Sequence, residues 1–155
     1  MKGFRFNLEN VLNVRRTAEN MAQRDFQLAQ AALQEEVDRL QRMFDEKTQA
    51  FQERHSLTTS GGTASAGLGQ IQDFLVGQEI LIKRQQAKIQ EFETQVERLR
   101  EILRERAIET KIIEKLKEKR REEYLQERNR REVKEADDQA SMRFRFGRED
   151  DETGL

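Results

Sequence analysis

Proline, cysteine and tryptophan are absent from the 155 residues, and histidine and tyrosine occur once each. Without cysteine there is no disulfide framework and no thiol chemistry, and one imidazole leaves no His/Cys metal constellation. Without proline, and with five of the eight glycines confined between Gly61 and Gly77, little outside one short zone interrupts a helix. Long apolar runs are missing too. The best candidate, FLVGQEILI, is short and broken by Gly, Gln and Glu, so neither membrane insertion nor a signal peptide is expected. Charge of one sign is also lacking: 29 Lys and Arg stand against 30 Asp and Glu, a formal net charge of -1. That balance removes the long-range attraction that draws a chain to nucleic acid or an anionic membrane.

What is present is charge and helix-forming residues. Charged residues make up 38% of the chain and hydrophobic ones 35%, and the mean hydropathy of -0.98 leaves little material for a globular core. From Asn7 onward helix formers run without a breaker, HSLTTSGGTASAGLG then collects loop-type residues, and helix formers resume near Gln70. The expected organisation is all-α: one coiled-coil hairpin over 1–146, with helices at 7–56 and 70–142 and a loop at 57–69. The second helix is the longer. The residues 147–155, GREDDETGL with Gly147 first, are acidic and poor in apolar groups, and are expected to be disordered. At the front, Asn7 is placed to cap the first helix, with Phe6 and Val11 as a hydrophobic staple.

The strongest pattern is a ladder of alternating four- and three-residue steps in the second helix: Ile71, Leu75, Gln78, Ile82, Gln85, Ile89, Phe92, Val96, Leu99, Leu103, Arg106, Thr110 and Ile113. This is a coiled-coil seam. The first helix carries a weaker ladder of Leu12, Arg15, Glu19, Ala22, Phe26, Ala29, Leu33, Val37, Leu40, Phe44, Lys47 and Phe51. Two consecutive steps of four around Leu33 predict a stutter. At about 1.5 Å per residue the helices measure roughly 75 and 110 Å, so an antiparallel pair leaves the second overhanging by about 35 Å. In that arrangement Leu12 comes level with Lys115, close to where the strict second seam fades after Ile113. The agreement favours a fold-back within one chain. Large apolar groups are scarce between Arg15 and Ala22, so this end of the pair is expected to be underpacked and to gain most from a partner.

Several stretches imitate chemistry. The Gly62 to Gly67 spacing is that of a phosphate-binding loop, but Leu68 and Gly69 stand where Lys and Ser or Thr are required, so a flexible turn is the expected role. His55 lies at a helix end as a solvated residue. Carboxylates on a two-helix rod face water, where no pocket separates their pKa values. No catalytic site, cofactor or metal site is expected. The basic-looking run 111–135 is interrupted by Glu114, Glu118, Glu122, Glu123, Glu127, Glu132 and Glu135, which points to a solvated helix rather than a DNA reader. Its most positive turns, with Lys115, Lys117, Lys119, Arg120 and Arg121, suit an acidic protein partner. Apolar residues off the seam form two groups: Phe74 with its neighbours, and a stripe of Ile108, Ile112 and Leu116.

FRFNLENVLNVRRTAENMAQRDF at the front, the glycine-rich turn one-third along, and ERAIETKIIEKLKEKRREEYLQERNRREVKEADDQASMRF near the end resemble the flagellar export protein FliJ family. The resemblance implies a non-enzymatic central stalk that inserts into the hexameric flagellar export ATPase and stimulates it. It further implies contact with the membrane export gate protein and with export chaperones, at the cytoplasmic face of the inner membrane at the flagellar base. Motility, chemotaxis and peripheral membrane association come with it. The family's gate-binding aromatic, just after the turn, matches Phe74; one turn on this chain has Gln78, with Leu75 and Leu81 as substitutes. The family's chaperone surface lies on the late first helix, near Phe44 and Phe51. The repeated Phe-Arg-Phe triplets place Phe4 and Phe6, with Phe144 and Phe146, as apolar anchors for the ATPase ring, joined by Arg15, Arg16 and the cluster from Lys115 to Arg121. A monomeric hairpin is expected in isolation. The alternatives are a virulence-type secretion stalk and a parallel homodimeric scaffold or tether.

Overall fold

The computed structural model describes residues 3–60, 65–152 and 154. Among them there are two helices and no strand: α1, Glu9–Thr59, and α2, Ser65–Glu152. The chain divides into two compact units, one of Thr17–Ala107 and one of Met1–Arg16 with Ile108–Leu155. Each helix contributes to both units.

In the unit of residues 17–107 the helices are antiparallel, because partners on α2 advance as those on α1 recede. Arg54 meets Gln72 at 3.5 Å, Glu36 meets Gln85, and the Arg100 guanidinium lies 5.6 Å from the Phe26 ring centre. Leu75, Ile82, Ile89 and Val96 of α2 are buried, as are Ala22 and Ala50 of α1. Full burial of such a side chain contributes roughly 1.5 to 3 kcal/mol. Two amides interrupt this seam one heptad apart. Gln78 Nε2 donates to Met43 O and to Glu46 Oε2, both at 3.0 Å, and Gln85 Nε2 donates to Glu36 O at 2.9 Å and Glu36 Oε2 at 2.6 Å. A buried amide without a partner costs about 1–3 kcal/mol, so these bonds fix where α1 must lie.

The α1 seam departs from expectation after Leu33. Val37, Phe44 and Phe51 are 38%, 37% and 40% exposed, while Glu36 and Ala50 are buried and Met43 half-buried. The inward residues run Leu33, Glu36, Leu40, Met43, Lys47, Ala50, Arg54 and Leu57, which continues the heptad with no stutter. Two causes act together. Because α2 keeps its four–three alternation, a stutter in α1 alone would rotate its apolar line off the partner. The Gln78 and Gln85 amides also bond α1 at Met43, Glu46 and Glu36.

In the unit of residues 1–16 and 108–155 the helices are again antiparallel, joined mainly by polar groups. Arg15 pairs with Glu109 at 2.8 Å, Arg16 with Glu114 at 3.3 Å and Glu9 with Lys117 at 2.8 Å. Leu12 is fully buried, and Phe6 and Thr110 are buried beside the seam. The first i→i−4 bond of α1 runs from Leu12 N–H to Leu8 O, and Glu9 N–H donates to Phe6 O. Leu8 therefore occupies the capping position and the expected Asn7 cap does not form; Asn7 Oδ1 accepts from Arg120 at 2.6 Å instead. Val11, the expected staple partner, is exposed, and Phe6 and Leu12 are the pair that bury.

Both helices outrun the expected ends. Residues 57–59 are helical because Thr58 and Thr59 hydroxyls donate to the Arg54 and His55 carbonyls, at 2.8 and 3.0 Å, satisfying groups that a helix end would leave open. Residues 65–69 belong to α2, and the rest of the expected loop, 61–64, lies outside the described residues. At the other end α2 continues past Met142 to Glu152, so 147–152 is helical rather than disordered. Arg145 and Glu149 stand four apart there, a spacing that supports a helix.

Candidate functional site

A two-helix coil has no interior cavity, so its functional surface lies in what the helices leave uncovered. In the unit of residues 17–107, Phe74 and Leu81 of α2 are exposed at positions one heptad apart, with Val76 and Ile80 exposed nearby. Leu75 and Gln78, also expected at the gate contact, are buried in the seam. They position the helix and leave Phe74 and Leu81 as its outward pair. A shallow groove beside Phe74 is lined by Ala50, Gln70 and Ile71, with the carboxylates of Glu46 and Glu53 on the α1 side. An apolar groove rimmed by acids suits a partner segment that is apolar at its centre and basic at its edge.

The same unit bears a second apolar line on α1, made of Val37, Phe44 and Phe51 at successive heptads. Cations accompany its last ring: the Arg54 guanidinium lies 4.8 Å and the Lys47 ammonium 5.9 Å from the Phe51 centroid. By heptad position these aromatics flank the seam on the edge opposite Glu46 and Glu53. The two lines therefore differ in charge as well as position, one edged by carboxylates and the other by cations. Hydrophobicity alone misplaced Phe44 and Phe51 in the seam. Glu36, one residue ahead of Val37 and able to accept from Gln85, was the signal that could have moved them out.

Among the described residues, Glu36 is the group whose titration is clearly moved. The hydrogen bond from Gln85 holds its carboxyl below the ordinary carboxylate range; burial opposes this, and Lys88 and Arg39 act with Gln85. The charged carboxylate is thus favoured within the seam, where its bonds to Gln85 and Lys88 order the two helices. Among the described residues no group of three or more His, Cys, Asp or Glu could hold a metal ion, and no helix is long and apolar enough to cross a membrane.

In the unit of residues 1–16 and 108–155, the structure divides the expected ring-contact residues into two classes. Arg15, Arg16, Lys117 and Arg120 are engaged by Glu109, Glu114, Glu9 and Asn7 within the chain. Phe6 is buried, and the Phe4 ring lies 5.7 Å from that of Tyr124. These groups tie the first residues to α2. Lys115, Lys119 and Arg121 remain exposed, as do Phe144 and Phe146 at 71% and 66%. The two Phe-Arg-Phe triplets do not come together: the first packs on Tyr124 and the second stands on an uncovered stretch of α2. From 129 to 152 every described side chain is exposed.

The fold resembles a solved structure described as a putative YscO homolog, CT670, from Chlamydia trachomatis. The likeness covers 95% of this chain and 99% of that one, with a TM-score of 0.51 and 21% sequence identity. Comparison with curated proteins finds no match. The family model described as flagellar FliJ protein matches residues 4–149. A match over nearly the whole sequence, on a two-helix antiparallel coil with an uncovered helical extension, establishes the affiliation: this chain belongs to the flagellar FliJ protein family.

Proposed function

We propose that this chain, a component of type III protein export, is the non-enzymatic central stalk of the flagellar export apparatus, and that it enters and stimulates the hexameric export ATPase. The carrying observation is α2 from 129 to 152, where no side chain is covered. Most helix stability in proteins comes from tertiary packing, which this stretch lacks, and pairs such as Arg131–Glu127 and Arg128–Glu132 add only tenths of a kcal/mol each. Enclosure by a ring would supply the missing packing. Phe144 and Phe146 are its apolar contacts and Arg121 its exposed cation, while Lys115 and Lys119, also expected at the ring, lie beside the Ile112 and Leu116 edge. Arg15, Arg16, Lys117, Arg120, Phe4 and Phe6 serve it indirectly, by holding the first residues on α2.

The remaining surfaces fit the other partners the family implies. Phe74 and Leu81, held outward by Leu75 and Gln78, form the contact with the membrane export gate protein. Phe44 and Phe51 present the aromatic edge that export chaperones would take. The working location is cytoplasmic, at the flagellar base on the inner membrane. The solved neighbour's description as a YscO homolog favours the virulence-type secretion stalk as a second reading, with the same surfaces in the same roles.

The test is hydrolysis by the purified cognate export ATPase with and without the full chain. Stimulation by the intact chain, lost when α2 is cut after Arg128 and reduced by Phe144→Ala with Phe146→Ala, is expected. Equal stimulation by the truncated chain would refute ring insertion by this stretch.

A further inference from the structure

Within the unit of residues 1–16 and 108–155, one edge of the coil is unlike the rest of this highly charged chain. On α1 the residues Asn10, Val11, Leu12, Asn13 and Val14 carry no charge. Leu12 is buried, while Val11 and Val14 are 39% and 67% exposed. Counted from Leu12 as a seam position, Val11 and Val14 occupy the g and c positions of the heptad. On α2, counted from Thr110, Leu116 and Ile112 hold those same positions. In an antiparallel pair the g flanks of the two helices border one groove, so the four side chains line a single edge. Ile112 is 60% exposed and Ile108, one turn before it, 53%. Apolar residues at a, d, g and c together are the pattern of a helix with two packing faces, one more than a two-stranded coil uses.

We propose that Val11, Val14, Ile112 and Leu116 form a docking groove for one amphipathic helix of a partner protein, whose carboxylates lie along Lys115 and Lys119. Heptad spacing of the apolar groups on both walls calls for a helix, which alone matches that repeat with knobs of its own. Charge selects its character. Lys115 and Lys119 follow Ile112 and Leu116 by three residues each, are exposed, and have no ion-pair partner among the described residues. Glu109, the acid on this edge, is engaged by Arg15 at 2.8 Å, and Glu123 bounds the groove one turn beyond Lys119. The α1 wall is neutral, with Asn10 and Asn13 beside the valines. The incoming helix is therefore acidic on its α2-facing flank and uncharged on the other. A second copy of this chain fits poorly, since beside the four apolar groups its corresponding edge offers lysines and asparagines, with Glu123 standing only at the far end. The inference stands on the groove's chemistry and holds whether or not an ATPase ring encloses residues 129–152.

The test is site-specific photo-crosslinking in cells. A photoreactive residue replaces Val14 or Ile112 in the full chain, and the captured segment is read by mass spectrometry. Both positions are expected to capture the same partner segment, with apolar residues at heptad spacing and carboxylates along one flank. Lys115→Glu with Lys119→Glu should lower the yield at Ile112 roughly tenfold, the effect of turning two exposed attractions into repulsions. Circular dichroism should show unchanged helix content. Capture of a second copy of this chain, of a segment without flanking carboxylates, or of nothing would overturn the proposal, as would a yield unaffected by the charge reversal. The ATPase measurement is separate: loss of stimulation on truncation after Arg128 with crosslinking intact would leave the groove standing.

Discussion

The two units are held together by different chemistry. Residues 17–107 bury four large aliphatic side chains of α2, Leu75, Ile82, Ile89 and Val96, with two amides bonded into the opposite helix. In residues 1–16 and 108–155, Leu12 and Phe6 are the large buried groups, and the helices meet through Arg15–Glu109, Arg16–Glu114 and Glu9–Lys117. Those charges are roughly a third to a half exposed, and such pairs contribute about 0–1 kcal/mol each. The lesson is a division of labour. One unit is organised by burial and keeps its own register; the other is loosely secured and leaves apolar and cationic groups uncovered.

The largest expected effect tests the first half of that contrast. Ile82→Ala should destabilise the unit of residues 17–107 by about 2–4 kcal/mol in urea unfolding followed by circular dichroism. A cost under about 1 kcal/mol would mean that its seam is no better packed than the ionic one. Next comes Leu12→Ala, the loss of a fully buried group. Because little else is buried around it, amide hydrogen exchange in residues 9–16 and 108–124 should accelerate strongly while residues 75–100 keep their protection. Uniform acceleration across the chain would erase the distinction between the units.

The amides sharpen the comparison further. Gln85→Leu removes a buried polar group but strands Glu36, so about 1–3 kcal/mol should be lost. Pairing it with Glu36→Leu should recover most of that. The double variant should also lose register, with Val37 and Phe44 partly turning inward and exchanging exposure with positions 36 and 43, as cysteine accessibility would report. A unique register in the double variant would show that heptad phase alone fixes α1.

The pH dependence has a defined sign. The Glu36 carboxyl is depressed in the folded state, so its stabilisation is complete above the ordinary carboxylate range and disappears as pH falls through its lowered folded value. Glu36→Gln should flatten that part of the acid unfolding curve. The smallest effect is salt: raising ionic strength toward 1 M should lower protection of residues 9–16 modestly and leave residues 75–100 almost unchanged.

Much of this was legible in the sequence where one force acted alone. The α2 ladder from Ile71 to Ile113 was, because its four–three spacing never breaks and Arg106 is the one rung of the thirteen that stays exposed. The α1 ladder was legible to Leu33 and lost beyond it. Val37, Phe44 and Phe51 outrank Glu36, Met43 and Ala50 in hydrophobicity, and the deciding interaction lay on the other helix, in Gln78 and Gln85. Helix ends were misplaced where hydroxyls of Thr58 and Thr59 turned loop-type residues into helix-closing ones. Phe74 and Leu81 were identified as surface residues from their place off the seam. The groups at Arg15, Lys117 and Arg120 were identified as charged but not as already engaged, since Glu109, Glu9 and Asn7 are nearly a hundred residues or more away in sequence.

All of these contrasts rest on one chain folding back on itself so that Phe26 meets Arg100. Spin labels at positions 25 and 101, in chains diluted into an excess of unlabelled protein, measure that directly by pulsed electron resonance. Helix axes about 8–10 Å apart predict a narrow distribution centred within about 25 Å once label length is added. A broad distribution well beyond that distance within single chains, as two parallel unbent chains would give, would contradict the account.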